Sequence, residues 1–244
     1  MTAFGEMLPK IRKQVDKDLS QKTMTKEKCL ALVIRLMEET HIRIGSEQYA
    51  KRNKTYGLST MRDRHIHFED GNFTFDFTGK KGKKHHISLE DKQLQRLVMQ
   101  CKEIPGWELF QYYDELGNHH DIDSGMVNEY IQEITGGDFS SKDFRTWAAS
   151  KIFLETAISM DPAETKDHLK KQIIKACDTA AEELGNTRSV CRKYYVHPGI
   201  IDSFENGKLY ELAKKYEGKT SPSDELEVSE KVMMEIISKY SFEI

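Results

Sequence analysis

H-I-H-F-E-D-G-N-F-T-F-D-F-T-G-K-K-G-K-K-H-H-I-S-L, residues 65–89, is where the period of the chain changes. His65-Ile66-His67-Phe68, Phe73-Thr74-Phe75-Asp76-Phe77 and His85-His86-Ile87-Ser88-Leu89 alternate at the two-residue repeat of a half-buried strand. Glu69-Asp70-Gly71-Asn72 and Gly79-Lys80-Lys81-Gly82-Lys83 separate the runs with turn-forming residues, so the stretch reads as a three-stranded antiparallel meander. On either side the apolar spacing is helical. Residues 3–20, 25–41, 90–103, 124–135, 141–158, 163–185 and 223–240 read as helices. The second has Thr25 as N-cap and an apolar stripe of Cys29, Leu32, Val33, Leu36 and Met37. Trp107 and the Gly117 to Asp123 segment read as connection, and the acidic amphipathic helix from Glu225 to Tyr240 as a cover for the core. The expected class is mainly α with a small three-stranded antiparallel β-sheet (α+β).

Composition sets outer limits. A chain of 244 residues can bury a sizeable core, as one large domain or two small ones. With 38% apolar and 32% charged residues it reads as a soluble, very polar protein. No window approaches eighteen apolar residues, and M-T-A-F-G-E-M-L-P-K lacks the charged-then-apolar order of a signal peptide, so a cytoplasmic location without membrane contact is expected. Cys29, Cys101, Cys177 and Cys191 are widely spaced and form no C-x-x-C pair, which suggests reduced packing residues rather than a zinc site or disulfide framework. His65 and His67 alternate onto one strand face, and neither they nor His85 and His86 have an acidic or thiol partner at ligand spacing; they read as structural or DNA-facing, not metal-binding.

The net charge of −3 argues against a nucleic-acid partner only on average. Between Arg43 and Lys84 ten Lys/Arg face five Asp/Glu, whereas from Ser203 onward nine acids outnumber six lysines. Charge polarised in this way suits a chain that presents one cationic region to an anion.

The second informative stretch is N-T-R-S-V-C-R-K-Y-Y-V-H-P, residues 186–198. It places two tyrosines after a basic run and before a proline stop. Paired tyrosines are commonly half-buried packing residues, but one beside clustered cations is also a nucleophile suited to a phosphate. Arg145, in Asp143-Phe144-Arg145-Thr146-Trp147, falls near the positive end of a helix that Ser140 or Ser141 can cap. A cation there needs either a carboxylate such as Asp143 or an external anion. Arg43, in His41-Ile42-Arg43-Ile44-Gly45, reads as the end of a helix before a glycine. Lys80 stands on the turn between the second and third strands with Lys81, Lys83 and Lys84, as a solvated tip or as a cationic finger. Trp147 reads as core.

In order, I-R-I-G-S-E-Q-Y-A-K-R-N-K-T-Y-G-L-S-T-M-R-D-R-H-I, F-T-G-K-K-G-K, K-D-F-R-T and N-T-R-S-V-C-R-K-Y-Y-V-H-P closely resemble the catalytic domain of poxvirus-like bacterial type IB DNA topoisomerases. The blocks run from Arg43 to Pro198, and their order and spacing together are specific. The resemblance implies the catalytic fold shared with tyrosine recombinases over residues 1–244, with the small N-terminal clamp domain absent. It puts the nucleophile at Tyr195, immediately before V-H-P, with Tyr194 as a neighbour. It puts the phosphate-binding arginines at Arg43 and Arg145 and the hairpin lysine at Lys80. The position nine residues before the tyrosine is histidine in viral and eukaryotic members and is Asn186 here. Asparagine can donate a hydrogen bond but carries no charge. Lys142, three residues before Arg145, stands where recombinases place a histidine and is a further catalytic candidate. Tyr49, Lys51, Arg52, Lys54, Lys81 and Lys83 are the implied DNA contacts.

The implied activity is relaxation of supercoiled double-stranded DNA by transient cleavage of one strand through a 3′-phosphotyrosine, followed by religation, without ATP, metal or other cofactor. Arginines suit the non-bridging phosphate oxygens, because their fork donates two bonds and stays charged. Lys80 is the candidate acid for the leaving 5′-oxygen. No dedicated base for the tyrosine is evident. The enzyme is expected to act as a monomer at the nucleoid. The rival readings are a tyrosine recombinase or integrase, and a catalytically silent DNA-binding module.

Overall fold

The structure, a computed structural model, describes residues 1–69, 71–218 and 226–241. In chain order its elements are α1 (Thr2–Leu19), α2 (Lys26–Thr40), α3 (Glu47–Asn53), β1 (Ile66–Glu69), β2 (Asn72–Thr78), β3 (Lys84–Ser88), α4 (Lys92–Lys102), β4 (Gln111–Tyr113), β5 (His119–Asp121), α5 (Ser124–Thr135), α6 (Ser141–Ile158), α7 (Lys166–Glu183), α8 (Arg188–Tyr194), α9 (Pro198–Glu205), α10 (Lys208–Tyr216) and α11 (Val228–Lys239). The chain divides into two compact units, Lys10–Ser141 and Met1–Pro9 with Lys142–Ile244.

In the unit Lys10–Ser141 the expected meander forms, with β2 central and both pairings antiparallel. Phe75 stands opposite Ile66 on one side and Ile87 on the other. Phe73, Phe75 and Phe77 point inward and are buried, while Thr74, Asp76 and Thr78 alternate outward. Of the first expected turn, Asp70 lies outside the described residues. The helix α2 is capped by Thr25, whose hydroxyl accepts from Lys28 N–H at 3.2 Å. Its stripe of Cys29, Leu32, Val33, Leu36 and Met37 is buried, and it packs against α4, α5 and β4. Each fully buried aliphatic side chain of this kind contributes roughly 1.5–3 kcal/mol.

Several expectations need correction here. His65 is not on a strand: it closes a 3-10 turn, Asp63–His65, with its Nδ1 accepting Arg62 N–H at 3.0 Å. The region around Gly117 is not plain connection, because β4 and β5 pair as a second, two-stranded sheet. Asp114 builds its turn, accepting from the amides of Leu116 (2.9 Å) and Asn118 (2.8 Å), and it meets His120 Nε2 at 2.8 Å. The helix expected over 90–103 begins at Lys92, where Asp91 caps the amides of Gln93 and Leu94.

The other unit is built on α6. Phe4 packs edge-on to Phe144 and Trp147, with ring centroids at 5.0 and 5.9 Å. Trp147 is core, as expected, and its Nε1–H donates to the fully buried Glu230 at 2.9 Å. Glu235 on α11 gathers Lys215, Tyr216 and Lys239; the Lys215 ammonium chiefly, with Lys239, holds its carboxyl down to about 2. The last helix covers core with Val232, Met233, Ile236 and Ile237. Its expected start at residues 223–225 lies outside the described residues. All four cysteines are free and buried.

Candidate active site

The helix α7 ends in a Schellman motif. Gly185 N–H donates to Glu182 O at 3.0 Å, and Asn186 N–H reaches back to Ala181 O at 2.7 Å. This turn needs the left-handed φ of +62° that Gly185 adopts without a Cβ penalty. Thr187 then caps α8 through Val190 N–H at 3.4 Å, and the Arg188 fork ties α8 back to α7 by gripping both oxygens of Asp178. Asn186 is therefore fixed at the corner between the two helices.

Arg145 points into this corner and is 7% exposed. Its Nη2 donates to Leu184 O at 2.6 Å. Near the start of α6 a cation is opposed by that helix's own dipole, but the guanidinium has reached the carbonyl end of α7, where the dipole favours it. A carboxylate or an anion was the expected answer to this charge; a main-chain carbonyl supplies part of it. The guanidinium carbon also lies 5.8 Å from the centre of the Tyr195 ring, within cation–π reach.

Tyr195 is the C-cap of α8. Its N–H and that of Val196 both donate to Cys191 O, each at 3.0 Å. The two adjacent tyrosines face different surroundings: Tyr195 is half-buried beside Arg145, and Tyr194 is 62% exposed. Burial pushes the Cys191 thiol up to about 11, so the thiol nearest the tyrosine in sequence stays protonated and inert. Lys142 is exposed in the first turn of α6.

Arg43, Lys80 and the implied DNA contacts belong to the unit Lys10–Ser141. Arg43 does not end a helix. The helix α2 stops at Thr40, His41 takes the left-handed cap at φ +55°, and Arg43 follows in an irregular segment. That segment is clamped to residues 57–60, with Leu58 N–H donating to Arg43 O at 2.9 Å and Ser59 N–H to Ile44 O at 2.7 Å. A Cβ on Gly57 would sit 2.4 Å from Arg43 O and 2.6 Å from Gly45 Cα, so the two backbones cross in contact. Lys80 lies on a 3-10 turn at the hairpin tip, closed by Gly79 N–H to Lys83 O at 2.7 Å, with Lys80, Lys81 and Lys83 all exposed. On α3, Tyr49 and Arg52 are exposed, as is Lys54 just beyond it, and Lys51 pairs with Glu47 at 2.9 Å.

The model of the family described as "Eukaryotic DNA topoisomerase I, catalytic core" matches residues 1–220. The chain belongs to this family. Among curated topoisomerases, the DNA topoisomerase 1B of Acanthamoeba polyphaga mimivirus is 29% identical over 219 residues, covering 87% of this chain and 65% of the relative. The DNA topoisomerase 1B of vaccinia virus is 21% identical over 206 residues, covering 82% and 62%. The DNA topoisomerase 1 of rabbit fibroma virus is 25% identical over 207 residues, covering 80% and 60%. The chain thus spans a little under two thirds of the length of these topoisomerase relatives.

Within this topoisomerase core, the residues read from sequence as Arg145, Asn186 and Tyr195 gather at the α7–α8 corner, while Arg43 and Lys80 each stand on their own loop of the other unit. Missed by the sequence reading were the Leu184 carbonyl, which has no sequence signature, and the Gly45–Gly57 crossing, whose only signal was two glycines twelve positions apart.

Proposed function

We propose that the chain is the catalytic part of a type IB DNA topoisomerase, relaxing supercoiled duplex DNA by reversible cleavage of one strand. The observation that carries this reading is the Arg145 guanidinium, held by Leu184 O and standing 5.8 Å from the Tyr195 ring. In the proposed step the Tyr195 oxygen attacks a backbone phosphorus and its proton passes to solvent. The bond from phosphorus to the 5′-oxygen breaks, its electron pair stays on that oxygen, and Lys80 supplies the proton. Religation reverses each transfer, so the phosphate ester conserves the bond energy and no ATP is called for. Arg145 and Arg43 offer forked donors to the non-bridging oxygens, where negative charge develops, and Asn186 a neutral donor. Lys142 is assigned to phosphate contact or proton transfer. For Arg43, Lys80 and Lys142 the assignment follows from the resemblance of their sequence segments.

The test uses supercoiled plasmid in EDTA without ATP, together with a suicide duplex that traps the covalent adduct. The parent chain is expected to relax the plasmid and to form the adduct. Tyr195→Phe should abolish both, whereas Tyr194→Phe should retain both, because it is the Tyr195 ring that stands beside Arg145 while Tyr194 is exposed. Loss of the adduct in Tyr194→Phe with retention in Tyr195→Phe would reverse the assignment. A parent that binds DNA but never forms an adduct would sink the enzymatic reading.

A further inference from the structure

We propose that Ser150 is a positioning residue for Tyr195: its hydroxyl staples both ends of the Tyr195–His197 link and so sets where the tyrosine stands for attack. The proposal rests on the reading of Tyr195 as the nucleophile.

Between the last residue of α8 and the first of α9 the chain has only Tyr195, Val196 and His197 in which to reverse out of one helix and into the next. Val196 anchors the middle of the link in the core, and Cys191 O holds the amides of Tyr195 and Val196 from the α8 side. On the opposite side one hydroxyl reaches both ends of the link. Ser150 Oγ donates to Tyr195 O at 3.2 Å and accepts from His197 N–H at 3.0 Å. A hydroxyl has one proton to give, and the other acceptor within reach, Met1 Sδ at 3.7 Å, is a weak thioether, so the carbonyl takes it. Ser150 has no exposed surface, so bulk water does not compete for either bond in the intact fold.

Its neighbours on α6 show that this arrangement is not the default of a helical hydroxyl. Thr146 and Thr156 turn back onto the carbonyls four residues earlier, Lys142 O at 3.3 Å and Ile152 O at 2.8 Å. Ser150 instead bonds a segment 45 to 47 residues away. Removing its oxygen strips a carbonyl and an amide of their partners on the two residues that flank Val196. The link can then recover those bonds only by shifting, and Tyr195 shifts with it. A displacement of about 1 Å at a reacting group lowers rates by up to ~10²-fold.

The experiment measures single-turnover adduct formation on the suicide duplex at saturating DNA, alongside the dissociation constant for the same duplex and the thermal midpoint. Ser150→Ala is expected to form adduct roughly ten- to a hundredfold more slowly, with DNA affinity within about twofold of the parent. Ser150→Thr, which keeps the hydroxyl, should recover most of the rate. Ser150→Cys fills the site with a slightly larger side chain and a much weaker donor and should also be slow, and it serves as the reading should the alanine variant fail to fold. A lower thermal midpoint with an unchanged rate for folded Ser150→Ala or Ser150→Cys would overturn the proposal while Tyr195→Phe still abolishes the adduct. If instead Tyr195→Phe keeps the adduct, the nucleophile assignment falls and the role of Ser150 falls with it.

Discussion

Arg145 donates through Nη2 to Leu184 O and stands within cation–π reach of the Tyr195 ring, and substitution can separate the two roles. Arg145→Ala leaves Leu184 O without its charged donor, a loss of roughly 1.5–3 kcal/mol in unfolding free energy, and should slow adduct formation by about 10²- to 10³-fold, as loss of one preorganised donor does elsewhere. Arg145→Lys can restore a charge at Leu184 O but not a fork, so stability should recover more than rate; equal recovery in denaturant titrations and single-turnover assays would argue against the fork. His65 offers a second residue-scale test. Burial chiefly, then Arg64, Arg62 and His67, pushes its imidazole down to about 4. In the unfolded chain a histidine titrates near 6.5, so between those values the unfolded state binds a proton that the native state refuses. Stability is then complete above about pH 6.5, declines as pH falls toward 4 by at most roughly 3 kcal/mol, and levels off below. Urea midpoints from pH 8 to 4 check this: His65→Gln should flatten part of the decline, and an unchanged slope would assign it to other groups.

Elements with a long, uninterrupted period were legible from sequence. The meander showed because Phe73, Phe75 and Phe77 share one face, and α2 because Thr25 caps it and its stripe recurs every three to four residues. The helices α3, α8, α9 and α10 have seven to nine residues, too few turns for a periodic signal, and their ends are set by caps such as Thr187 and His197. Arg43 was misplaced because α2 ends on a left-handed His41, with no glycine to mark the stop. At the site, the chemistry-bearing side chains could be nominated from their types and spacing. What holds them could not, since Arg145 donates to a carbonyl 39 residues away. The crossing of Gly45 and Gly57 makes an element-scale prediction. In Gly57→Ala the new methyl would meet main-chain atoms 2.4 to 2.6 Å away, which can move only by separating the two segments. The expected cost is about 2 kcal/mol or more, with the Leu58–Arg43 and Ser59–Ile44 bonds weakened together. Adduct formation should fall even where the variant remains folded, because Arg43 rides on the displaced segment; a folded variant with parental rate would remove Arg43's anchoring from the account.

At the scale of the whole molecule, a net charge of −3 conceals a cationic stretch and an acidic one, and DNA affinity should follow the first alone. Each lysine that neutralises a phosphate releases condensed counterions and steepens the fall of log K with log salt by about 0.9. The hairpin lysines Lys81, Lys83 and Lys84 are exposed around Lys80, and replacing all three with alanine leaves the proposed proton donor in place. If they face phosphates, the triple variant should bind a short duplex with a salt slope shallower by roughly 2 to 3 than the parent. Lys208 and Lys214 provide the comparison, being exposed lysines on α10 within the acidic stretch; replacing both should leave the slope unchanged. Both titrations are made in the Tyr195→Phe background, so that covalent trapping cannot pass for affinity. Equal slopes for parent and hairpin variant would place the electrostatic grip elsewhere in the cationic stretch, with Arg52 and Lys54 at α3 next to be neutralised. A shallower slope in the Lys208 and Lys214 variant would instead mean that net charge, rather than its arrangement along the chain, governs binding.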